Sequence, residues 1–287
     1  MHRALSVILV LMSSAVPVTA DEPPAPAAVA ERYLETTFGR DYDALMGLYA
    51  ADAVFHDPTA DVFQGPVSEG PVRGAAAIVA MQKSWGLGDV DFQPDDAFTV
   101  GEHTLHRGTL TVAYAGSEQR YAIPFVNVLR VVDGRVVERL DFAEYVETFD
   151  LGDAFEATSA ATRQVADPYL AAYLEGDLDT QSALMAATIH FQDPTAAIVG
   201  GDAPIDGAEK LLASRRAMYS SVASFELDVA EQFVSNHHAV YMGTVRYQLT
   251  SGQRFEQPAV AVIEVHDGKV TRHWDFVDYD VPPVTTE

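Results

Sequence analysis

Two periods of hydrophobic residues follow one another along the chain, a helical period first and a strand period later. Apolar and aromatic residues recur at helical spacing over residues 29–38, and Gly39 then interrupts them. Asp41 can cap a second short helix that runs to Tyr49. A third helix is predicted over residues 75–85, directly after a glycine.

The period changes to that of β-strands in the next part of the chain. Residues 106–114, 121–132 and 135–145 are rich in β-branched and aromatic side chains. Asp133 and Gly134, between the last two runs, are typical of a two-residue hairpin turn. Helices followed by an antiparallel meander predict an α+β domain in which a curved sheet wraps around a helix.

The same order of features occurs twice. Residues 55–60, FHDPTA, return 136 residues later as residues 191–196, FQDPTA. Two further segments, which begin at Gln119 and Asp141, each return 134 residues later. Three matches in the same order and at nearly constant spacing indicate an internal duplication.

The duplication predicts two domains, over residues 28–148 and 158–282. Each copy is long enough to bury a core of its own. The stretch from residue 146 to 160 has few strand formers, so we expect the linker there. Residues 22–28 are rich in proline and alanine and should form a loose lead-in.

The chain resembles a known fold family in two telling stretches, residues 48–58 (LYAADAVFHDP) and 131–137 (VVDGRVV). They resemble the nuclear transport factor 2-like superfamily, which includes ketosteroid isomerases and SnoaL-like polyketide cyclases. The resemblance covers both copies. It implies tandem cone-shaped domains, each with a curved antiparallel sheet around N-terminal helices. It does not specify a reaction, because one fold supports many chemistries.

Composition excludes several kinds of chemistry and of partner. The chain has no cysteine, which excludes disulfides, a thiol nucleophile and thiolate metal sites. Its formal net charge of -24 repels nucleic-acid phosphates and anionic membrane surfaces. We therefore expect neither nucleic acid nor membrane as a partner.

The first twenty residues have the pattern of a secretory signal peptide. His2 and Arg3 precede an apolar run over residues 4–12, and small residues before Asp21 offer a cleavage site. The alternative is an uncleaved anchor, but the apolar run is far shorter than the roughly 20 residues that span a bilayer. We expect export to the periplasm or the medium.

The resemblance implies catalytic residues in each copy. In ketosteroid isomerases a tyrosine of the first helix and an aspartate after the second helix face one pocket. The matching residues are Tyr33 and Asp57, and Tyr169 and Asp193, with the same separation in both copies. Those isomerases add a protonated aspartate to the oxyanion hole. Our alignment places Val126 and Val260 at that position as pocket residues, which disfavours an efficient isomerase.

The last strand of each copy adds further candidates. Alternation groups Asp141 with Tyr145 and, in the second copy, Asp275 with Tyr279, on the face that the resemblance turns inward. On a neighbouring strand the inward positions are His106 and Tyr241. Two carboxylates in one cavity should divide a proton between them, one as acid and one as base.

Each candidate also has a purely structural alternative. Asp57 and Asp193 precede proline and can cap the turn that follows. Asp141 and Asp275 can belong to an inert buried network, and His106 can simply be packed. Likewise Tyr33 and Tyr169 can be core residues whose hydroxyls have partners. No histidine pair has a third ligand at suitable spacing, so we expect no metal.

Large apolar residues occupy the opposite face of the last strand. They are Leu140 and Phe142 in the first copy and Trp274 and Phe276 in the second. Such a row must be covered. We expect the two copies to pack sheet to sheet as an intrachain pseudo-dimer; the alternatives are partial exposure or pairing with another chain in a homo-oligomer.

Three functions remain open on the sequence alone. The first is a cofactor-independent enzyme that transfers a proton on a small apolar carbonyl or cyclic compound, as an isomerase, cyclase or hydrolase does. The second is a non-catalytic binding module for a hydrophobic metabolite. The third is a structural protein whose cavities are filled by side chains. A usable pocket of about 300 Å³ would separate the third from the others.

Overall fold

The structure is a computed structural model that describes residues 23–63, 69–201 and 204–284. The predicted signal peptide, residues 1–20, lies outside the described residues. None of the helices in the described part of the chain is long and apolar enough to cross a membrane.

The first half of the chain forms three helices and a six-stranded sheet, and two of the strands lie between the second and third helices. In chain order these elements are α1 (Pro26–Phe38), α2 (Tyr42–Leu48), β1 (Tyr49–His56), β2 (Val72–Arg73), α3 (Ala75–Ser84), β3 (Leu87–Val100), β4 (His103–Tyr114), β5 (Arg120–Val132) and β6 (Arg135–Ala143). A short 3-10 turn, Pro58–Val62, follows β1.

The second half repeats this order after the short helix α4 (Val146–Phe149). Its elements are α5 (Asp153–Glu175), α6 (Leu178–Leu184), β7 (Met185–Gln192), β8 (Ile205–Asp206), α7 (Ala208–Ser221), β9 (Val222–Ser235), β10 (His238–Leu249), β11 (Arg254–His266) and β12 (Lys269–Val277). The tandem α+β architecture predicted from the sequence is confirmed.

Both sheets have the same strand order, β2-β1-β6-β5-β4-β3 and β8-β7-β12-β11-β10-β9. Neighbouring strands are antiparallel except for β1 with β6 and β7 with β12, which are parallel. The hairpin turns predicted between the last two strands are present. Asp133 and Gly134 both have positive φ, as a type I′ turn requires, and Asp267 and Gly268 repeat this.

A close approach between strands bends each sheet at an equivalent glycine. A Cβ atom on Gly108 would lie 2.1 Å from the Gln93 carbonyl oxygen, and one on Gly243 would lie 2.0 Å from the Asp228 carbonyl oxygen. The strand register shifts beside both glycines. Only glycine permits this contact, and such irregularities increase the curvature of a sheet. The concave face then receives the helices.

Two parts of the sequence analysis need correction. The predicted strands omit β1, β2 and β3. In β3, Gly88, Pro94 and several aspartates interrupt the apolar pattern, which an edge strand with one neighbour tolerates. The predicted linker, residues 146–160, is largely helical, because α4 and the start of α5 occupy most of it. Its alanines and glutamates disfavour strands but favour helices.

The two sheets pack against each other through their outer faces. The rings of Phe142 and Trp274 lie 5.9 Å apart, centre to centre. The buried cluster combines both halves of the chain: Phe98, Val100, Leu105, Val126, Val128, Phe142, Phe233, Val240, Met242, Val260, Val262, Trp274 and Phe276. The predicted intrachain pseudo-dimer is therefore present, and each concave face remains free to enclose its own cavity.

Candidate functional site

Asp57 stands at the end of β1, where its two carboxylate oxygens have different roles. Oδ1 accepts hydrogen bonds from Thr59 Oγ1 at 2.6 Å and from the Ala60 amide at 3.1 Å, which caps the 3-10 turn. Oδ2 accepts a hydrogen bond from the Tyr145 hydroxyl at 2.7 Å. Oδ1 therefore caps the turn, as the structural interpretation expects, whereas Oδ2 bonds to a residue of the cavity wall.

Asp141, the second carboxylate of the first domain, has a cation as its partner. It is held by the guanidinium of Arg139, two residues earlier on β6, and the Asn127 amide donates to its Oδ1 at 2.7 Å. Asp57 has no such cation in direct contact among the described residues. Burial, and then the nearby charge of Asp141, raises the pKa of Asp57 to about 7. The two carboxylates therefore have different surroundings, because Asp141 is paired with a guanidinium and Asp57 is not.

The first domain encloses a narrow cavity of about 70 Å³ beside these groups. Its wall consists of Thr37, Phe38, Arg40, Tyr42, Asp57, Gln82, Trp85, Leu87, Val90, Leu110, Val112, Phe125, Arg139, Asp141 and Tyr145. This volume is well below the roughly 300 Å³ of an ordinary pocket for a drug-sized ligand.

The second domain repeats the aspartate and tyrosine pair. Asp193 Oδ1 accepts from Thr195 Oγ1 at 2.6 Å, and Oδ2 accepts from the Tyr279 hydroxyl at 2.7 Å. Burial, and then the charge of Asp275, raises the pKa of Asp193 to about 6. The pair has the same geometry in both domains, although the surroundings differ.

Asp275 accepts hydrogen bonds on both oxygens. The Tyr173 hydroxyl lies 3.2 Å from Oδ2, and His273 Nε2 lies 2.9 Å from Oδ1. Arg215 Nη2 lies 2.9 Å from His273 Nδ1. Because a guanidinium can only donate, Nδ1 must accept, and Nε2 carries the hydrogen that points to Asp275. Arg215 thus fixes the tautomer of His273.

The cavity of the second domain is larger and mostly apolar, with a volume of about 260 Å³. Its polar groups are Asp275, Tyr173, Tyr279 and Ser221. Apart from the Tyr247 hydroxyl, the rest of its wall is apolar and consists of Leu170, Leu174, Met218, Val222, Phe225, Leu227, Val245, Tyr247, Leu249, Ala259, Val260, Ala261 and Val277.

The buried guanidinium comes from different elements in the two domains. In the first it belongs to Arg139 on β6, where the second domain has His273. In the second it belongs to Arg215 on α7, and the equivalent residue of α3 is Gln82. Each domain therefore buries one arginine, but Arg139 bonds to Asp141 directly, whereas Arg215 bonds to His273, which in turn bonds to Asp275.

Both domains match the same protein family. Two segments, residues 30–139 and 166–273, match the SnoaL-like domain, and together they cover well over half of the sequence. The chain belongs to the SnoaL-like family. No curated protein matches it.

Solved structures similar to one SnoaL-like domain come from several organisms. A Shewanella denitrificans OS-217 protein named for the SnoaL-like polyketide cyclases is 25% identical, with a TM-score of 0.38; the match covers 44% of this chain and 95% of that one. An NTF2-like protein of Burkholderia pseudomallei K96243 is 21% identical, with a TM-score of 0.38, over 41% and 91%. A Catenulispora acidiphila DSM 44928 protein with a ketosteroid isomerase-like fold, in complex with trimethylamine, is 17% identical, with a TM-score of 0.37, over 43% and 90%.

The first-helix tyrosines of both SnoaL-like domains are buried in the hydrophobic core of their domain and line neither concave cavity. The Tyr33 hydroxyl lies 3.4 Å from that of Tyr49, and the Tyr169 hydroxyl accepts from Arg215 Nη2 at 2.9 Å. One helical turn later, Thr37 and Tyr173 line the cavities instead. In the second domain the tyrosine of the cavity wall is thus Tyr173, one helical turn after the Tyr169 that the family pattern indicates.

The placement of Val126 in the pocket is wrong. Its side chain packs between the two sheets, and the inward residue is its neighbour Asn127, which bonds to Asp141. Val260 packs in the same interdomain cluster, although it also contributes to the wall of the second cavity. The alignment was off by one position, and one residue reverses the face of a strand.

His106 and Tyr241 lie on the inner face but do not line a cavity. His106 is buried opposite Asn127, and burial lowers its pKa to about 4, so it is a weak base at neutral pH. The Tyr241 hydroxyl donates to Asp167 Oδ1 of α5 at 2.6 Å. Both residues support the walls, whereas Tyr145 and Tyr279 face the cavities as expected.

Sequence reasoning missed the polar residues that the helices contribute. These are Thr37 and Gln82 in the first domain and Tyr173 and Arg215 in the second. A signal was present for two of them. Arg215 follows the buried Leu211 by one helical turn, and Gln82 follows Ile78 in the same way, so both are polar residues on an apolar helix face.

A wider polar cleft of about 650 Å³ lies between the two domains, lined by residues of both. Several of its charged groups have partners: His190 with Asp206 at 2.8 Å, and Glu264 with His266 at 2.8 Å and with Arg272 at 3.5 Å. None of the sequence-predicted site residues lines it. Among the described residues, no group of three or more His, Asp or Glu side chains is arranged to hold a metal. The candidate sites are therefore the two concave cavities.

Proposed function

We propose that the second SnoaL-like domain binds a small, largely apolar carbonyl or cyclic compound and transfers a proton on it. The observation that carries the proposal is the composition of its cavity, in which an apolar wall surrounds Asp275, Tyr173 and Tyr279. The volume of about 260 Å³ is close to that of known ligand sites, and a few polar groups in an apolar wall are what such sites contain.

The polar groups support a proton transfer in which every proton has a destination. Asp275 takes a proton from a carbon beside the carbonyl group, and the electron pair of that C–H bond moves toward the carbonyl oxygen. Tyr279 donates its proton to that oxygen, and the acid form of Asp193 returns a proton to Tyr279 over their 2.7 Å hydrogen bond. The product is an enol, and reversal at another carbon yields an isomer.

A pH profile tests this assignment. Because the pKa of Asp193 is about 6, its acid form becomes scarce above that pH. The proposal predicts that kcat/KM falls roughly tenfold per pH unit above pH 6. Asp275→Asn should abolish turnover while ligand binding persists. Turnover that persists in Asp275→Asn would refute the assignment of the base.

One observation favours binding without turnover as the second candidate function. Asp193 is not part of the cavity wall, and Tyr279 stands between its carboxylate and the ligand space. If the Tyr279 hydroxyl continues to donate its hydrogen bond to Asp193, it does not protonate the ligand, and the domain binds the ligand without turnover. A compound that stabilises the protein but is recovered unchanged would support this alternative.

The experiment is a thermal-shift screen of the chain without its first 20 residues against steroids, polyketides, terpenoids and fatty acids, followed by turnover assays on every stabilising compound. A ligand present at 100 times its Kd stabilises a protein by about 2.7 kcal/mol, which such a screen detects. Conversion of a stabilising compound supports the enzyme, and stabilisation alone supports the binding module.

We also propose that the protein is exported. The proposal rests on the basic start, apolar run and small residues of the first 20 positions. N-terminal sequencing of the protein from cell-free medium and periplasmic extract tests it. Asp21 as the first residue is the expected result, and an intact Met1 in the cytoplasmic fraction would contradict it.

A further inference from the structure

Polar groups without a protein partner converge on the small cavity of the first domain. Thr37 Oγ1, both side-chain polar atoms of Gln82, and Arg139 Nη1 are buried and have no hydrogen-bond partner among the described residues. All three residues line the same cavity. Gln82 is only 5% exposed and Arg139 only 4%. Buried polar groups are rarely left without partners, so this concentration indicates a ligand.

The second domain does not share this arrangement. There Arg215 stands in place of Gln82, and its Nη atoms bond to Gln181, Tyr169 and His273. The corresponding space is thus filled by a protein network. The polar cavity is a property of the first domain, and its ligand differs in kind from the apolar compound proposed for the second.

The charges around the first cavity define the ligand. Two guanidinium groups, Arg40 and Arg139, and two carboxyl groups, Asp57 and Asp141, line it. Tyr145, which also lines the cavity, bonds to Asp57. When Asp57 holds its proton, the wall carries two positive charges and one negative charge, so one negative charge on a ligand would be balanced. Near neutral pH this form is well populated, because burial has raised the pKa of Asp57 to about 7.

Size limits the ligand further. The cavity of about 70 Å³ exceeds the roughly 10–15 Å³ that one water requires, but is far below the roughly 300 Å³ of an ordinary ligand pocket. Apolar side chains such as Phe38 and Trp85 complete the wall beside the polar groups. A molecule with one anionic end and a very short apolar end matches both properties.

We propose that the first domain binds a small monocarboxylate of one to three carbons, whose carboxylate accepts hydrogen bonds from Arg139 Nη1 and Gln82 Nε2. Asp57 is in its acid form in the complex. Thr37 Oγ1 and Gln82 Oε1 complete the polar wall with bound water. The site requires no turnover and does not depend on the function proposed for the second domain.

Calorimetric titration of the full chain with sodium acetate tests the proposal, with sodium chloride and neutral acetamide at matched ionic strength as comparison ligands. We expect one acetate site per chain. The affinity should be constant below pH 6.5 and fall about tenfold per pH unit above pH 7, because binding then requires Asp57 to take up a proton. Equal binding of chloride or acetamide, or no saturable acetate binding at pH 6, would overturn the proposal and leave the cavity to water.

Two substitutions of buried glutamines form a matched pair. Gln82→Leu should lower the affinity for acetate at least tenfold. Gln257→Leu should leave it unchanged, because Gln257 Oε1 is also buried without a partner but lines neither concave cavity. Equal affinities in the two variants would contradict the site. If Gln82→Leu does not fold, Thr37→Val replaces it, with the same direction of change expected.

Two further variants separate this inference from the proposed function. Asp57→Asn should still bind acetate, with an affinity that no longer depends on pH between 6 and 8. Val245→Trp, which fills the second cavity, should bind acetate as the unmodified protein does. Loss of acetate binding in Val245→Trp would place the carboxylate in the second domain and refute the assignment.

Discussion

The hydroxyl of Tyr145 donates a hydrogen bond to Oδ2 of Asp57 over 2.7 Å, although 88 residues separate them in sequence. This contact joins the segment directly after β6 to the turn after β1, at one end of the parallel pair of β1 and β6. Tyr279 and Asp193 repeat it at the same distance. Both domains keep this pair, whereas the volume and polarity of the two cavities have diverged.

The first prediction concerns the stability of Asp57→Asn as a function of pH. The pKa of Asp57 is raised from 3.8 to about 7 in the fold, so its contribution to stability is fully present below pH 4 and is lost as the pH rises through 7. At pH 8 the unmodified protein should be up to about 4 kcal/mol less stable than Asp57→Asn, and at pH 4 the difference should nearly vanish. Urea unfolding across this range measures it.

The control for this prediction is Asp141→Asn. That substitution leaves the Arg139 guanidinium buried without its carboxylate, so it should destabilise the protein at neutral pH. Equal destabilisation by Asp57→Asn at pH 8 would mean that Asp57 acts only as the cap of the 3-10 turn.

A second prediction concerns Arg215, the cation of the second domain. Arg215→Leu removes the donor to Gln181, Tyr169 and His273 and leaves buried acceptors without a partner. We expect a loss of about 3 kcal/mol or more in the free energy of unfolding. Arg216→Leu, one residue later on the exposed side of α7, should change it by less than about 0.5 kcal/mol. Similar values for the two variants would refute the structural role of Arg215.

The interface between the domains gives a third prediction. Phe142→Ala opens a cavity against Trp274 and should lower the free energy of unfolding by about 3–5 kcal/mol. Tyr114→Ala, at a side chain that is 41% exposed, is the comparison and should cost much less. Chemical denaturation with both variants decides the matter. Comparable losses would mean that the sheets do not depend on this contact.

Acid should weaken the same interface, which gives a fourth prediction. Burial, and then neighbouring cationic groups, lowers the pKa of His238 to about 3, so its contribution to stability is full above pH 6.5 and is lost as the pH falls. His238→Gln should therefore lose less stability than the unmodified protein between pH 6.5 and 4.5. His190→Gln, at a side chain that is 32% exposed, is the comparison variant. A His238→Gln curve parallel to that of the unmodified protein would contradict this account.

The sequence was sufficient for the duplication, for α1, α2 and α3, and for the last three strands of each domain, because those segments carry clear periods; it did not predict α4 or the start of α5. Strand alternation also placed Tyr145 and Tyr279 correctly. The alignment to the family placed Val126 in the pocket, but Asn127 is the residue of β5 that faces inward, and a displacement of one residue reverses the face of a strand.

The groups contributed by the helices were harder to predict than those of the strands. Tyr173 and Arg215 matter because α5 and α7 cross the sheet beside His273, and that juxtaposition is a tertiary property. The difference in cavity volume was also beyond sequence reasoning, because it depends on how closely the helices approach the sheet.

We infer that the apolar ligand occupies the cavity of the second domain, and filling each cavity in turn distinguishes the two domains. Val245→Trp fills the second cavity, and Leu110→Trp occupies the equivalent strand position in the first. Thermal shifts of both variants are measured with each compound that stabilises the unmodified protein. The account predicts that Val245→Trp abolishes the stabilisation while Leu110→Trp retains it; a shift that survives in Val245→Trp and disappears in Leu110→Trp would contradict it.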